Sequence, residues 1–306
     1  MKSEVFFTKR IVIVIGALLC CALWGSATPF IKMGYELILP HKDVSSTILF
    51  AGVRFLIAGI LTVVIYSIAR GKMLIPKKEN WLKVAHVGLF QTVIQYLFFY
   101  IGLANTTGVK GTIASGSNAF FSLIIASIIY KQEKLSAKKL VACIVGFAGV
   151  VLINLNGLDF NMNFFGDGFV IFSSIAYGFS SALMKKYTKS EDPVVISGYQ
   201  FAMGGLFMTV VGLILGGKIS ITTGAAVGVM VYLSLLSAVA YAVWGLLLKF
   251  NTVSKITVFT FMIPVFGSSL SMILLNEAGT VPVVNLVVTL VLIATGILML
   301  NYKKEN

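Results

Sequence analysis

GVRFLIAG at residues 52–59 and GYQFAMGG at residues 198–205 are one element written twice. Gly52, Phe55 and Gly59 return as Gly198, Phe201 and Gly205, each 146 positions on. Both segments sit in the second apolar stretch of their half of the chain. A duplicated unit with five membrane crossings ends on the opposite side from its start. Its second copy therefore lies upside down relative to the first. Inverted repeats of this kind place a site at their mutual interface that can open to either face, the logic of a secondary transporter.

Composition supports a membrane reading. The 306 residues are 58% hydrophobic and 11% charged, against about 25% charged in soluble domains. Roughly twenty apolar residues span a bilayer as helix. That rule places ten spans at about 11–31, 47–69, 84–103, 112–130, 138–154, 167–184, 195–216, 225–248, 256–275 and 282–301. The first run follows Lys9 and Arg10 and ends in Lys-Met-Gly at 32–34 rather than at a small-residue cleavage site, so it reads as a span and not a cleaved signal. The longest connection, NLNGLDFNMNFFG at 154–166, reads as the loop between halves.

Charge sets the expected orientation, because Lys-rich and Arg-rich short loops stay cytoplasmic. With the N-terminus inside, 19 of the 24 basic residues fall in inner segments. Four (Lys32, Lys42, Lys110 and Lys218) fall outside, and Arg54 lies within a span. This split puts both termini in the cytoplasm of a multi-pass protein of the cell membrane. It also accounts for the net charge of +13 without a nucleic-acid partner. Cys20, Cys21 and Cys143 lie inside apolar runs without paired or CxxC spacing, so neither disulfide nor metal is expected.

The duplication continues through every element. Trp24-Gly25 aligns with Tyr177-Gly178, Lys32 with Lys185, Tyr96 with Tyr241, Lys110 with Lys255, and Glu133 with Glu277. Gly149 and Asn154 align with Gly296 and Asn301. The expected fold is an all-α integral membrane protein of ten transmembrane helices in a 5+5 inverted-topology repeat. Its first five-helix unit is 1–156 and its second 157–306.

The motifs resemble those of one group. LWGSATPF at 23–30 is similar to the first-span signature of the drug/metabolite transporter superfamily, EamA family. Arg54-Phe55 resembles that family's second-span element, and FMIPV at 261–265 followed by Glu277 resembles its ninth-span pattern. The likeness covers nearly the whole chain and does not specify a substrate. It implies a basket-like bundle whose central cavity is lined by spans 1, 3, 4, 6, 8 and 9. Spans 5 and 10 would lie at the back or at a homodimer contact. Members of the family move amino acids, nucleotide-related compounds and other small metabolites, often outward. One departure is Asn118-Ala119-Phe120, where the family often has a proline. The first half therefore bends less there, or bends elsewhere.

Polar groups at membrane depth are costly and usually face a cavity or a partner. Arg54 reads either as an anchor for a carboxylate or phosphate, which its planar fork matches, or as a structural arginine bonding carbonyls. Gln91 and Gln95 lie one helical turn apart, with Tyr96 and Tyr100 beside them and His86 a turn nearer the inner end. Span four offers Ser115, Ser117, Asn118 and Ser122. Ser173, Tyr177 and Ser181 form one stripe, and Ser237, Tyr241 and Trp244 another. Trp24, Arg54, Gln91, Gln95, Tyr96, Asn118, Tyr177, Tyr241 and Trp244 are the expected substrate-binding set. The competing reading of the polar members is helix–helix bonding.

A polar, aromatic and nearly uncharged cavity suits a small zwitterionic or amphipathic metabolite, with rings for stacking or cation–π contact. No catalytic residue, cofactor or metal site is expected: metal spacings, a nucleophile elbow and a P-loop are all missing from the sequence. No Asp or Glu lies at mid-membrane depth, so obligatory proton coupling is not expected. If coupling exists, Glu133, Glu277 or His86 would carry it. The expected function is export of amino acids or related compounds by alternating access. The alternatives are a non-transporting receptor or assembly subunit and, more remotely, a membrane-embedded enzyme.

Overall fold

A computed structural model describes residues 2–41, 43–106, 108–153, 161–274 and 283–301. Lys42, Glu277, Lys303, Lys304 and most of the loop between halves lie outside the described residues. Every regular element among the described residues is helical. After a short helix at Lys2–Thr8, eight helices are long and apolar enough to cross a membrane. They are α1 (Arg10–Ile38), α2 (Val44–Ala69), α3 (Lys78–Leu103), α4 (Lys110–Ile129), α6 (Phe164–Tyr187), α7 (Pro193–Ile214), α8 (Gly224–Phe250) and α10 (Val284–Asn301). Two shorter elements stand where spans five and nine are expected. α5 is Ala137–Ile153, and α9 (253–274) is built of Val253–Thr257, a 3-10 stretch Val258–Phe261, and Met262–Leu274.

Local chemistry fixes several helix starts. The Asp43 carboxylate accepts the Ser46 N–H at 2.6 Å ahead of α2, Asp192 accepts the Val194 N–H at 2.8 Å ahead of α7, and Thr223 accepts the Ala226 N–H at 3.1 Å ahead of α8. Each cap satisfies one donor that a helix N-terminus leaves open. Large apolar side chains point outward, among them Ile60, Val64 and Ile68 of α2 and Phe207, Val210 and Ile214 of α7. The inside combines large rings such as Phe50, Phe55 and Phe201 with small polar groups. Ser173, Ser174, Ser180 and Ser181 of α6 and Ser234 and Ser237 of α8 are all buried.

The duplicated segments meet face to face. A Cβ on Gly59 would stand 2.3 Å from the Ala202 amide nitrogen and 2.6 Å from the Gly198 carbonyl. A Cβ on Gly205 would stand 2.3 Å from the Leu56 nitrogen and 2.9 Å from the Gly52 carbonyl. Gly52 lies against Thr209, and Gly198 against Val63. Residue numbers fall along α7 as they rise along α2, so the equivalent helices run antiparallel. The contacts are reciprocal, as a two-fold axis between the copies requires. In a bilayer, small residues let backbones approach where no hydrophobic force draws helices together.

The same reciprocity recurs around the bundle. Gly25 of α1 packs against Ile263, Phe266 and Gly267 of α9, and its equivalent Gly178 of α6 packs against Phe121 of α4. α1 also runs antiparallel along α8, and α6 along α3, as shown by the Ser26–Tyr232 and Phe98–Phe172 contacts. Gly149 and Gly296 seat α5 and α10 on each other. The first helix of each half is therefore built into the other half.

α4 and α9 are interrupted at equivalent depths. Pro264 in α9 has no N–H and clashes with the carbonyl four residues earlier, and the 3-10 stretch Val258–Phe261 precedes it. α4 has no proline, yet its α-helical pieces end at Gly116 and resume at Asn118. At the junction, the Ser117 N–H and hydroxyl both donate to the Ala114 carbonyl, at 3.1 and 2.6 Å. A serine competing for its own backbone thus makes the break that proline makes in the second copy.

Candidate functional site

Residues that keep their identity in both copies meet on the two-fold axis. Phe55 stacks on Phe201, with centroids 5.1 Å apart and planes at 13°. The Tyr96 and Tyr241 hydroxyls share a 2.6 Å hydrogen bond. Phe55 also contacts Tyr96, and Phe201 contacts Tyr241, at 4.3 and 4.8 Å. Trp24 from α1 joins the edge of this cluster, 5.0 Å from Tyr241 and 4.9 Å from Trp244. The rings of both halves thus pack against one another at the centre of the bundle.

Several buried polar atoms on the ring-bearing helices and on α6 are left without partners. The indole nitrogens of Trp24 and Trp244, the Nε of Arg54, the Oε1 atoms of Gln91 and Gln95, and the Tyr177 hydroxyl are buried and make no hydrogen bond. The Tyr177 hydroxyl lies near Ser181 and Trp244 without an aligned bond to either. A buried polar group left unmade costs about 1–3 kcal/mol. Twelve buried side-chain atoms among the described residues are left in this state, and the Trp24, Trp244 and Arg54 nitrogens belong to residues that touch the ring cluster, which makes this region the candidate site.

Arg54 is 3% exposed. Its guanidinium makes two long hydrogen bonds, 3.3 Å to Ser237 Oγ and 3.5 Å to the Tyr100 hydroxyl, and sits 4.5 Å over the Phe55 ring. Among the described residues no carboxylate pairs with it. The Gln200 side chain, at the equivalent position, accepts the Thr92 hydroxyl at 2.5 Å. The pair is thus asymmetric in chemistry as well as in charge.

The structure brings together Trp24, Tyr96, Tyr241 and Trp244. Gln91 and Gln95 are buried in α3, at and just after its π-helical stretch Leu89–Ile94. Asn118 stands apart from that ring cluster at the break in α4, half-buried and without a side-chain hydrogen bond. The stacked pair Phe55 and Phe201 is absent from the candidates that the sequence suggests. The signal was available, because a residue kept in both copies of an inverted repeat can meet its own equivalent on the axis.

The lysine-rich end of the bundle is closed by bonds between halves. Arg70 pairs with Asp192 at 2.6 Å, Asn80 donates to Glu191 at 2.9 Å, and His86 Nδ1 meets the Tyr187 hydroxyl at 2.8 Å. Glu133 pairs with Lys139 at 2.5 Å and accepts both the backbone N–H (2.9 Å) and the hydroxyl of Ser254. Partial burial pushes the Glu191 carboxyl up, but the Asn80 side chain and the N–H groups of Lys77 and Asp192 outweigh it and hold it below its ordinary 4.5. A carboxyl depressed in the folded state stabilises fully above the ordinary value and loses that stability as pH falls through the folded value. Melting temperature is therefore expected to drop below pH 4.5, with Glu191→Gln lowering it at neutral pH and flattening the acid limb. An unchanged acid limb in the variant would remove Glu191 from this closure.

Comparison with known proteins follows this architecture. The profile of the EamA-like transporter family matches twice, at residues 11–155 and 164–302. An uncharacterized transporter of Archaeoglobus fulgidus is 27% identical over 83% of this chain and 86% of its own length. The uncharacterized transporter YvbV of Bacillus subtilis is 26% identical over 92% of this chain and 89% of its own. A chloroplastic WAT1-related protein of Arabidopsis thaliana is 23% identical, covering 92% and 68%. One crystal structure superposes with a TM-score of 0.74 over 95% of this chain and 98% of the other, at 17% identity, which shows the fold alone.

Proposed function

The chain belongs to the EamA-like transporter family, and from that premise we propose that it is a secondary transporter exporting amino acids or related zwitterionic compounds. Ten crossings in two inverted five-helix units, with both termini in the cytoplasm of the cell membrane, carry the substrate past the two-fold axis by alternating access. The observation that supports this reading is the set of unpartnered buried polar atoms on α1, α2, α3 and α8. The indole N–H groups of Trp24 and Trp244 and the Nε of Arg54 are donors without acceptors, which suits a carboxylate. The Oε1 atoms of Gln91 and Gln95 are acceptors without donors, which suits an ammonium group.

Transport requires the central rings to part and the bonds at the lysine-rich end to break. Glu133 and His86 already hold partners at that end, and no proton need move for the cycle to run. Liposomes carrying the protein and loaded with mixed amino acids should release at least one of them faster than empty liposomes. Trp244→Ala should abolish that flux while the protein still folds. If a broad panel of amino acids, amines and nucleosides gave neither flux nor a thermal shift, the transporter reading would fail for this site. Persistence of flux without a pH gradient in the parent protein is expected, and strict dependence on one would overturn uncoupled exchange.

A further inference from the structure

A second site lies away from the central rings. At the lysine-rich end, Lys77, Lys189 and Lys249 line a cavity of about 300 Å³ together with Thr188, Glu191 and Asp192. The three lysines come from three places: the connection after α2, the α6–α7 turn, and the last turn of α8. None of the three ammonium groups pairs with a carboxylate among the described residues. The Lys249 ammonium sits 5.5 Å over the Phe250 ring.

The two carboxylates in the wall offset only part of the lysines' charge, and neither forms an ion pair with the three lysines among the described residues. Asp192 is spent on Arg70 at 2.6 Å and on the Val194 N–H that it caps. Glu191 is spent on the Asn80 side chain and on the backbone N–H of Lys77, both at 2.9 Å. Thr188 turns its hydroxyl back to the Lys185 carbonyl at 3.1 Å. The lining carries three lysines against two carboxylates, an excess of one positive charge drawn from both halves.

We propose that this cavity binds a phosphate group, either free or as the headgroup of an anionic lipid, and that the bound phosphate braces the closed inner end. Lysine binds phosphate as a mobile point charge, and three such charges around one volume suit a compact anion with several oxygens. Basic pockets between helices on the cytoplasmic side are where anionic headgroups settle. Because Lys77 belongs to the first half and Lys189 and Lys249 to the second, an anion touching all three links the elements that Arg70–Asp192 and Asn80–Glu191 already join. The ligand would favour the inner-closed conformation over one open to the cytoplasm.

Binding can be read without transport, so its failure is separable from that of the central site. Full-length protein in neutral detergent is titrated with inorganic phosphate, dihexanoyl phosphatidylglycerol or dihexanoyl phosphatidylcholine, at ionic strength matched with chloride, and melting is followed. Phosphatidylglycerol, inorganic phosphate or both should raise the melting temperature saturably, and phosphatidylcholine and chloride should not. A response to inorganic phosphate assigns a free anion as a ligand, and a response to the lipid alone assigns the headgroup. Each lysine removed should weaken binding roughly fivefold, near the 1 kcal/mol typical of a basic residue at an anionic surface. Lys189→Ala with Lys249→Ala should then weaken it roughly 25-fold if the two contributions add, while Lys72→Ala outside the cavity changes nothing. Equal stabilisation by phosphatidylcholine, no response to either phosphate, or undiminished affinity in the double variant would each overturn the proposal.

Discussion

Replacing Gly59 or Gly205 by leucine is expected to cost the protein its folded state in detergent. At both positions the first side-chain carbon would stand 2.3 Å from a backbone nitrogen of the opposing helix, a distance no rotamer can relieve. The α2–α7 seam must then separate along its length, and with it the stacked Phe55–Phe201 pair. Overpacking a well-fitted core costs about 1–3 kcal/mol and occasionally more. A clash of backbone against Cβ belongs at or above the top of that range. A loss of 3 kcal/mol corresponds to a melting temperature lower by roughly 10 °C, with loss of monodisperse protein beyond that. Gly228→Leu is the matched control, because a Cβ there meets nothing within 4 Å. The seam would be shown to be dispensable if Gly59→Leu melted together with the Gly228 variant.

Arg54→Gln is expected to leave the fold intact and to weaken substrate binding about 10- to 100-fold, the range of a charge-assisted hydrogen bond of roughly 1.5–3 kcal/mol. The substitution gives the first copy the residue that the second copy carries at Gln200. Arg54 loses two long hydrogen bonds of 3.3 and 3.5 Å and a cation–π contact with Phe55 at 4.5 Å, while its Nε has no partner to lose. Burying an unpaired cation is costly, so the variant without ligand should be as stable as the parent or more so. Arg54→Lys keeps the charge and loses the planar fork, and should fall between them in affinity. Apparent affinity from transport or thermal shift, read beside melting temperature without ligand, decides the matter. A variant that melts lower and binds as tightly as the parent would make Arg54 a strut between α2 and α8.

Hydropathy placed several helix starts to within a residue, as at Arg10, Ala137 and Gly224, and missed two others. Spans two and seven are expected from about 47 and 195, but the helices start at Val44 and Pro193, behind the caps of Asp43 and Asp192. A hydropathy window discounts the polar residues that stabilise a helix start. Pro264 signalled the interruption in α9 in advance, through its missing N–H. The interruption at Ser117 gave no such signal, because a serine in a helix bonds its own backbone or solvent according to its neighbours. Among the candidate site residues, Arg54, the two glutamines, Tyr96, Tyr241 and the tryptophans stand out in the sequence as polar or amphipathic groups within apolar spans. The phenylalanines between them do not, since an aromatic residue in an apolar run is the ordinary case.

The amino-acid sequence by itself determined the membrane class, the duplication and the expected inversion. A bilayer is a uniform solvent, so the length of apolar runs and the side on which lysines collect constrain topology without reference to packing. The tertiary structure decided which equivalent residues touch and which polar atoms are left over. Gly52, Gly59, Gly198 and Gly205 bring two antiparallel backbones close enough to set Phe55 on Phe201 and Tyr96 on Tyr241. The Trp24 and Trp244 indoles and the Arg54 Nε are left without acceptors in the same packing. Whether a polar group in a helix is spent on its neighbours or kept for a ligand depends on a few ångströms between helices far apart in the chain, which no local pattern of residues encodes.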